Sequence, residues 1–187
     1  MAAGPEKARR ALFLDRDGTL IVHRPYLHRP AEVELLPGVR EALSRAREAN
    51  MRLFLFTNQS GVGRGWFTLR DVEAVNERMV ELLGLGPDLF ADVCIAPEAP
   101  GQPVLYRKPS PRFIRECLER WSLDPSACWM IGDAPSDWLA GLTAGIRAAA
   151  VVSDLTTEKT EAIRRKQGVP RFENLPAAID RILDGSL

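Results

Sequence analysis

The sequence has no long apolar run. Its apolar stretches end after four or five residues, far short of the ~20 that a bilayer span requires. Charge of either sign is not in excess: 25 Lys and Arg face 25 Asp and Glu. A neutral chain lacks the basic surplus by which duplex-binding proteins neutralise phosphates. Only three cysteines occur, Cys94, Cys117 and Cys128, with no C-x-x-C pair. That excludes a disulfide framework and fits reduced thiols in the cytoplasm. Nucleotide-binding loops are missing too, since the glycines of 61–65 do not fit G-x-G-x-x-G and no G-K-[ST] exists. The basic N-terminus runs into an apolar stretch that ends at Asp15, too short for a signal sequence. These absences predict one soluble cytoplasmic domain over 1–187, a monomer with neither membrane nor nucleic-acid partners.

Among what is present, 45% of the 187 residues are hydrophobic, enough for one well-covered core. Five short apolar runs, at 11–14, 52–56, 92–96, 128–132 and 148–152, read as strands buried on both faces. Helical spacing lies between them: Val39, Ala42, Leu43 and Ala46; then Val72, Val75, Met79 and Leu82 behind a Thr68–Asp71 cap; then Phe113, Ile114, Cys117, Leu118 and Trp121. A shorter helix after the fourth run ends on Gly145 and carries Trp138, read like Trp121 as core. The cations of "EKARR" and "EAIRRKQ" read as solvated helix faces. Strand and helix alternating in this way predict an α/β fold, a Rossmann-like three-layer sandwich with a central parallel sheet.

In such sheets ligands sit beyond the carboxyl ends of the strands. Asp15 and Asp17 follow the first run, Thr57 and Asn58 the second, and Gly132 and Asp133 the fourth, with Asp137 one helical turn further on. As single residues these are ordinary strand stops and caps. Converging from distant strands, three or four acids call for a hard divalent cation, Mg²⁺. A calcium loop fails on spacing, because Tyr26 stands where its Glu would be and Leu20 where its Gly would be. "TNQSGVGRG" adds a hydroxyl and backbone N–H groups, and "RKPSP" adds Arg107 and Lys108 ahead of a helix. Metal, hydroxyl, ammonium and carboxylate are the parts required for phosphoryl transfer to an aspartate.

"DRDGT", "TNQSG", "RKPSP" and "GDAPSD", in that order, resemble the motifs of the haloacid dehalogenase superfamily. The finer pattern is similar to its histidinol-phosphatase-like subgroup, and within that to the D-glycero-D-manno-heptose 1,7-bisphosphate 7-phosphatases. The resemblance implies a capless fold and a Mg²⁺-dependent phosphatase working through an aspartyl phosphate on a small phosphorylated sugar or metabolite. It implies Asp15 as nucleophile and Asp17 as acid and base, with Thr57 and Lys108 holding phosphoryl oxygens. Asp15, the Asp17 carbonyl and Asp133 would hold the metal. Asn58, Gln59, Ser60, Arg107 and the flap His23-Arg24-Pro25-Tyr26 would touch the sugar or its second phosphate. Gly18, Thr19, Gly132 and Asp137 would support the site, Gly18 and Thr19 by turning both acids into one pocket.

Two features depart from that pattern. Many relatives bind zinc in a loop before the R-K-P motif, but here only Cys94 remains, with Ala96, Val104 and Tyr106 at the other ligand positions. One thiolate does not hold zinc, so no zinc is expected, and Pro97, Pro100 and Pro103 would stiffen the loop instead. Ala134 stands where a lysine is common, which bears on substrate choice. Trp66 and Phe67 either wall the pocket or anchor their loop, and His23 and His28 are equally readable as exposed loop residues. Competing functions are histidinol-phosphate phosphatase, polynucleotide 3′-phosphatase and a silent binding module on the same fold.

Overall fold

Alternate residues of each apolar run point to opposite faces, and the chain provides helices for both. The computed structural model describes residues 9–185. In chain order come β1 (Arg10–Leu14), α1 (Val39–Glu48), β2 (Met51–Asn58), α2 (Ser60–Gly63), α3 (Leu69–Leu83), β3 (Asp92–Ala96), α4 (Arg112–Arg120), β4 (Cys128–Gly132), α5 (Pro135–Ala144), β5 (Arg147–Val151), α6 (Glu158–Lys166), β6 (Arg171–Phe172) and α7 (Leu175–Leu183). The strands form one six-stranded sheet in the order β3-β2-β1-β4-β5-β6. Every pairing is parallel.

On one face, Leu12, Leu14, Leu53, Leu55 and Ile131 pack under α1, α3 and α7. On the other, Phe13, Phe54, Phe56 and Met130 meet Phe113, Ile114 and Cys117 of α4. Phe13 and Phe54 stack at 4.7 Å, and Phe113 meets Phe13 edge-on at 6.0 Å. Truncating a ring at this junction to alanine would cost about 3–5 kcal/mol, because the cavity cannot close fully. The capping box of α3 forms, with Thr68 and Asp71 each accepting the other's backbone N–H. Gly145 ends α5 in the left-handed region, at φ 88°.

The predicted parallel sheet and its five runs are present, and some details differ. β6 is a sixth strand of only two residues, too short for any periodicity to register. In α3 the buried residue near the C-terminus is Leu83 rather than Leu82, which is half-buried. Trp138 is core, whereas Trp121 is half-buried beneath Arg52, whose guanidinium lies 4.4 Å over its ring. Arg10 opens β1 rather than a helix, and residues 6–8 of "EKARR" lie outside those described. Arg165 and Lys166 do face solvent on α6, but Arg164 folds back to pair with Glu161 and donate to the Val169 carbonyl.

Chain order places the site. From β1 the chain moves outward through β2 and β3, then returns to the other side of β1 with β4. The crevice between the carboxyl ends of β1 and β4 is therefore the topological switch point, where open α/β sheets bind ligands. Among the described residues, no helix is long and apolar enough to cross a membrane.

Candidate active site

Asp15 is the first residue beyond β1, and its N–H donates to the Ile131 carbonyl of β4 at 3.0 Å, which fixes it at the switch point. The chain then turns so sharply that the Arg16 carbonyl accepts from both Leu20 and Ile21. Gly18 makes this possible. Its φ is +80°, and a Cβ there would run into the Asp133 carboxylate. Asp133 itself follows β4, and Asp137 lies on the first turn of α5. Gly132 has to be glycine for the same kind of reason, since a Cβ would meet the Asp137 side chain.

The three carboxylates that come together are Asp15, Asp133 and Asp137, with one oxygen of each within 4.8 Å of the others. Asp17 is not the third member, contrary to the simplest reading of D-x-D. Its carboxylate turns aside to Arg16 and Gln59. Lys108 enters between the acids, its ammonium 2.6 Å from Asp15 Oδ1, 2.7 Å from Asp137 Oδ1 and 2.8 Å from the Phe56 carbonyl. All three of its donors are thereby used. Asp137 is equally committed, because its Oδ2 accepts the Ala134 N–H at 3.0 Å. Asp133 keeps a buried Oδ2 with no hydrogen-bond partner.

Electrostatics follow from this packing. Burial, then crowding by Asp137 and Asp17 against the pull of Lys108, pushes the Asp15 carboxyl up to about 7. Burial, then the Asp15 charge, pushes Asp133 up to about 6, although a Ser153 hydrogen bond works the other way. Burial alone would lower the Lys108 ammonium, but Asp137 and Asp15 outweigh it and hold the charge in place. One ammonium for three buried acids leaves negative charge uncompensated. Asp15 together with the orphaned Asp133 oxygen suits a hard cation that takes one or two carboxylates and keeps its waters, as Mg²⁺ does.

The anion-facing side comes from β2. Thr57 is buried at the strand end, and its hydroxyl accepts from Gln59 Nε2 at 2.8 Å. That same nitrogen donates to Asp17 Oδ2 at 3.0 Å, so Gln59 braces two site residues instead of facing the cleft freely. Asn58 clasps the Lys108 backbone, accepting from its N–H at 2.9 Å and donating to its carbonyl at 3.2 Å. A cleft of about 300 Å³ opens beside Asp17, lined by the flap from His23 to Leu27 and by Asn58, Gln59, Ser60 and Gly61. Two ring pairs join the flap to the loop after α2: Tyr26 with Trp66 at 4.4 Å, and His28 stacked on Phe67 at 5.3 Å. Phe67 is buried and anchors the loop, whereas Trp66 stands exposed at the rim.

Arg107 is not among the residues lining the cleft, and its guanidinium donates to the Glu98 carbonyl at 2.9 Å. The Pro-rich loop is held by Glu98, whose Oε1 accepts three backbone N–H groups, from Leu105, Tyr106 and Arg107. Tyr106 adds a hydrogen bond to Glu116, and Cys94 is a buried β3 residue whose thiol burial pushes up to about 12. Sequence reasoning missed Arg16, Asn76, Ser153 and Glu98. Only for Asn76 was there a signal, a polar residue within the inward stripe of α3.

A family model described as haloacid dehalogenase-like hydrolase matches residues 26–145. The chain is similar to a D-glycero-beta-D-manno-heptose-1,7-bisphosphate 7-phosphatase of Helicobacter pylori, 36% identical over 140 residues, 74% of this chain and 80% of that one. A counterpart in Mesorhizobium japonicum is 35% identical over 182 residues, covering 92% of this chain and 83% of that protein. Among solved structures, a D,D-heptose 1,7-bisphosphate phosphatase from B. bronchiseptica, complexed with magnesium and phosphate, superposes with a TM-score of 0.82. Identity there is 25%, covering 94% of this chain and 99% of that one.

Proposed function

The chain belongs to the haloacid dehalogenase-like hydrolases, and on that premise we propose that it is a Mg²⁺-dependent phosphatase removing the 7-phosphate of D-glycero-D-manno-heptose 1,7-bisphosphate. The observation that carries this reading is the buried group of Asp15, Asp133 and Asp137 around Lys108, with Asp15 two residues along the chain from Asp17 and the cleft of about 300 Å³ that Asp17 lines. The relatives' substrate supports the choice of sugar.

Asp15, Asp133 and the Asp17 carbonyl would hold Mg²⁺, which would supply positive charge where phosphoryl oxygens gather. Lys108 and Thr57 line up the transferring group. A carboxylate oxygen of Asp15 attacks phosphorus, the bond to the sugar oxygen breaks, and the Asp17 carboxyl gives its proton to that oxygen. Water then attacks the aspartyl phosphate, its proton passes to Asp17, and the Asp15–phosphorus bond breaks to release phosphate. Both acids return to their starting states. Lys108 also offsets charge that would otherwise repel a dianionic substrate from an anionic nucleophile.

We further propose that residues 1–187 form a single phosphatase domain that acts as a monomer. Three free cysteines suit a reducing cytoplasm. The test is phosphate release with and without Mg²⁺ from both heptose bisphosphate anomers, histidinol phosphate and a 3′-phosphorylated oligonucleotide, with Asp15→Asn as control. Turnover of a heptose anomer well above the others supports the reading. Preference for another substrate replaces the sugar and keeps the chemistry, while Mg²⁺-independent turnover by Asp15→Asn refutes both.

A further inference from the structure

Arg16, between the two acids of D-R-D, is fully buried, with no solvent exposure. A buried cation costs several kcal/mol unless it is well paired, and an apolar side chain would fill the same space at less cost. What the guanidinium gains here is a grip on one partner. Nε donates to Asp17 Oδ2 at 3.0 Å and Nη2 to Asp17 Oδ1 at 3.2 Å, a two-pronged contact with the next residue's carboxylate. Nη1 donates at 3.0 Å to Asn76 Oδ1 on α3, in the connection between β2 and β3. Its main chain is fixed as well, since its carbonyl accepts from Leu20 at 2.9 Å and Ile21 at 3.1 Å. Both ends of the arginine are thus tied to rigid structure, and Asp17 is held by it and by Gln59.

We infer that Arg16 is a positioning residue: it fixes the orientation of the Asp17 carboxylate, with Asn76 as its anchor, so that both proton transfers run from one geometry. This rests on the phosphatase reading given above. In the first half-reaction the proton leaves Asp17 for the departing sugar oxygen, and in the second Asp17 takes a proton from the attacking water. A carboxylate misplaced by about 1 Å loses on the order of 10²-fold in rate. The two halves depend on it differently. A sugar alkoxide is a poor leaving group that requires the proton, whereas p-nitrophenolate leaves without one, yet hydrolysis of the aspartyl phosphate requires the base for either substrate.

The experiment compares wild type with Arg16→Met, Arg16→Lys and Asn76→Ala on the heptose bisphosphate and on p-nitrophenyl phosphate, in stopped flow and at steady state. Arg16→Met should lose about 10²-fold in kcat with KM changed less than about threefold. On p-nitrophenyl phosphate it should give a burst of one product per active site and then slow turnover, because phosphoenzyme forms faster than it hydrolyses. Arg16→Lys should recover part of the rate, since one ammonium replaces one prong of the fork. Asn76→Ala should show the same burst with a smaller loss, about threefold to tenfold, and it decides the matter if Arg16→Met does not fold. Folded variants that keep wild-type rates on both substrates overturn the inference. So do variants whose burst and turnover fall in proportion, which is what a partly misfolded population gives. A wild type inactive on every monoester refutes the phosphatase reading itself, and an active wild type beside unaffected variants refutes only the role of Arg16.

Discussion

The two halves of the site are built in opposite ways. Its chemical half is buried, with Asp15 and Asp133 at strand ends, Asp137 on the first turn of a helix and Lys108 on the turn ahead of α4. There the Lys108 ammonium and both oxygens of Asp137 each have a partner in the chain. Its recognition half, the flap and the loop after α2, stands largely in solvent on ring contacts, and the Pro-rich loop, held by Glu98, joins α2 through the Gly63 N–H and the Pro97 carbonyl. Phosphoryl transfer tolerates little misplacement, so its groups sit where the sheet fixes them. Substrate choice depends on loops that can vary without disturbing that frame.

Substitutions should separate these halves by what they change. Asp15→Asn should lose about 10⁴-fold or more in kcat and leave substrate binding near wild type, read by steady-state kinetics and equilibrium titration. Lys108→Met should cost about 3–5 kcal/mol of stability, because two buried carboxylates lose their shared cation, and denaturant unfolding measures it. Mg²⁺ should raise the unfolding midpoint more at pH 8 than at pH 5. In the metal-free protein Asp15 and Asp133 ionise only near about 7 and about 6, above the ordinary 3.8. Their contribution to stability is therefore full below pH 4 and lost as pH rises through those values, which is where bound Mg²⁺ restores it. At 100 times its Kd the ion adds about 2.7 kcal/mol, and thermal melts at both pH values check the difference.

In the recognition half the effects should be smaller and fall on KM. Glu98→Ala strips three backbone N–H groups of their acceptor and should raise KM about fivefold with kcat changed less than about twofold. Trp66→Ala should change stability by no more than about 0.5 kcal/mol, since the ring is exposed, and KM by about twofold. If Glu98→Ala instead cut kcat while sparing KM, the division between the halves would fail.

Much of the chemical half was legible in the sequence because strand ends are legible. Apolar runs stop at Asp15 and at Asp133, and the order of strands brings those stops side by side. The helix stripes and the Thr68–Asp71 cap follow from local spacing in the same way. What remained hidden was the direction in which side chains turn. Nothing in D-R-D announces that Asp17 folds onto Arg16 while Asp137 takes its place among the acids. Gln59 turning inward and Arg107 turning to Glu98 depend equally on contacts that exist only once distant segments meet. The two-residue β6 was invisible for a different reason, since pairing with β5 defines it rather than any pattern of its own.

The proposed reaction turns on Asp15 as the residue that receives the phosphoryl group. The most direct test is to quench the wild-type protein in acid during turnover of radiolabelled substrate with Mg²⁺ and to map the label by digestion. Tryptic cleavage gives the peptide of residues 11–16, in which Asp15 is the only carboxylate side chain. Label is expected on that peptide, discharged by hydroxylamine and missing from Asp15→Asn. Turnover at full rate with no label there, or label on another residue, would contradict that role of Asp15.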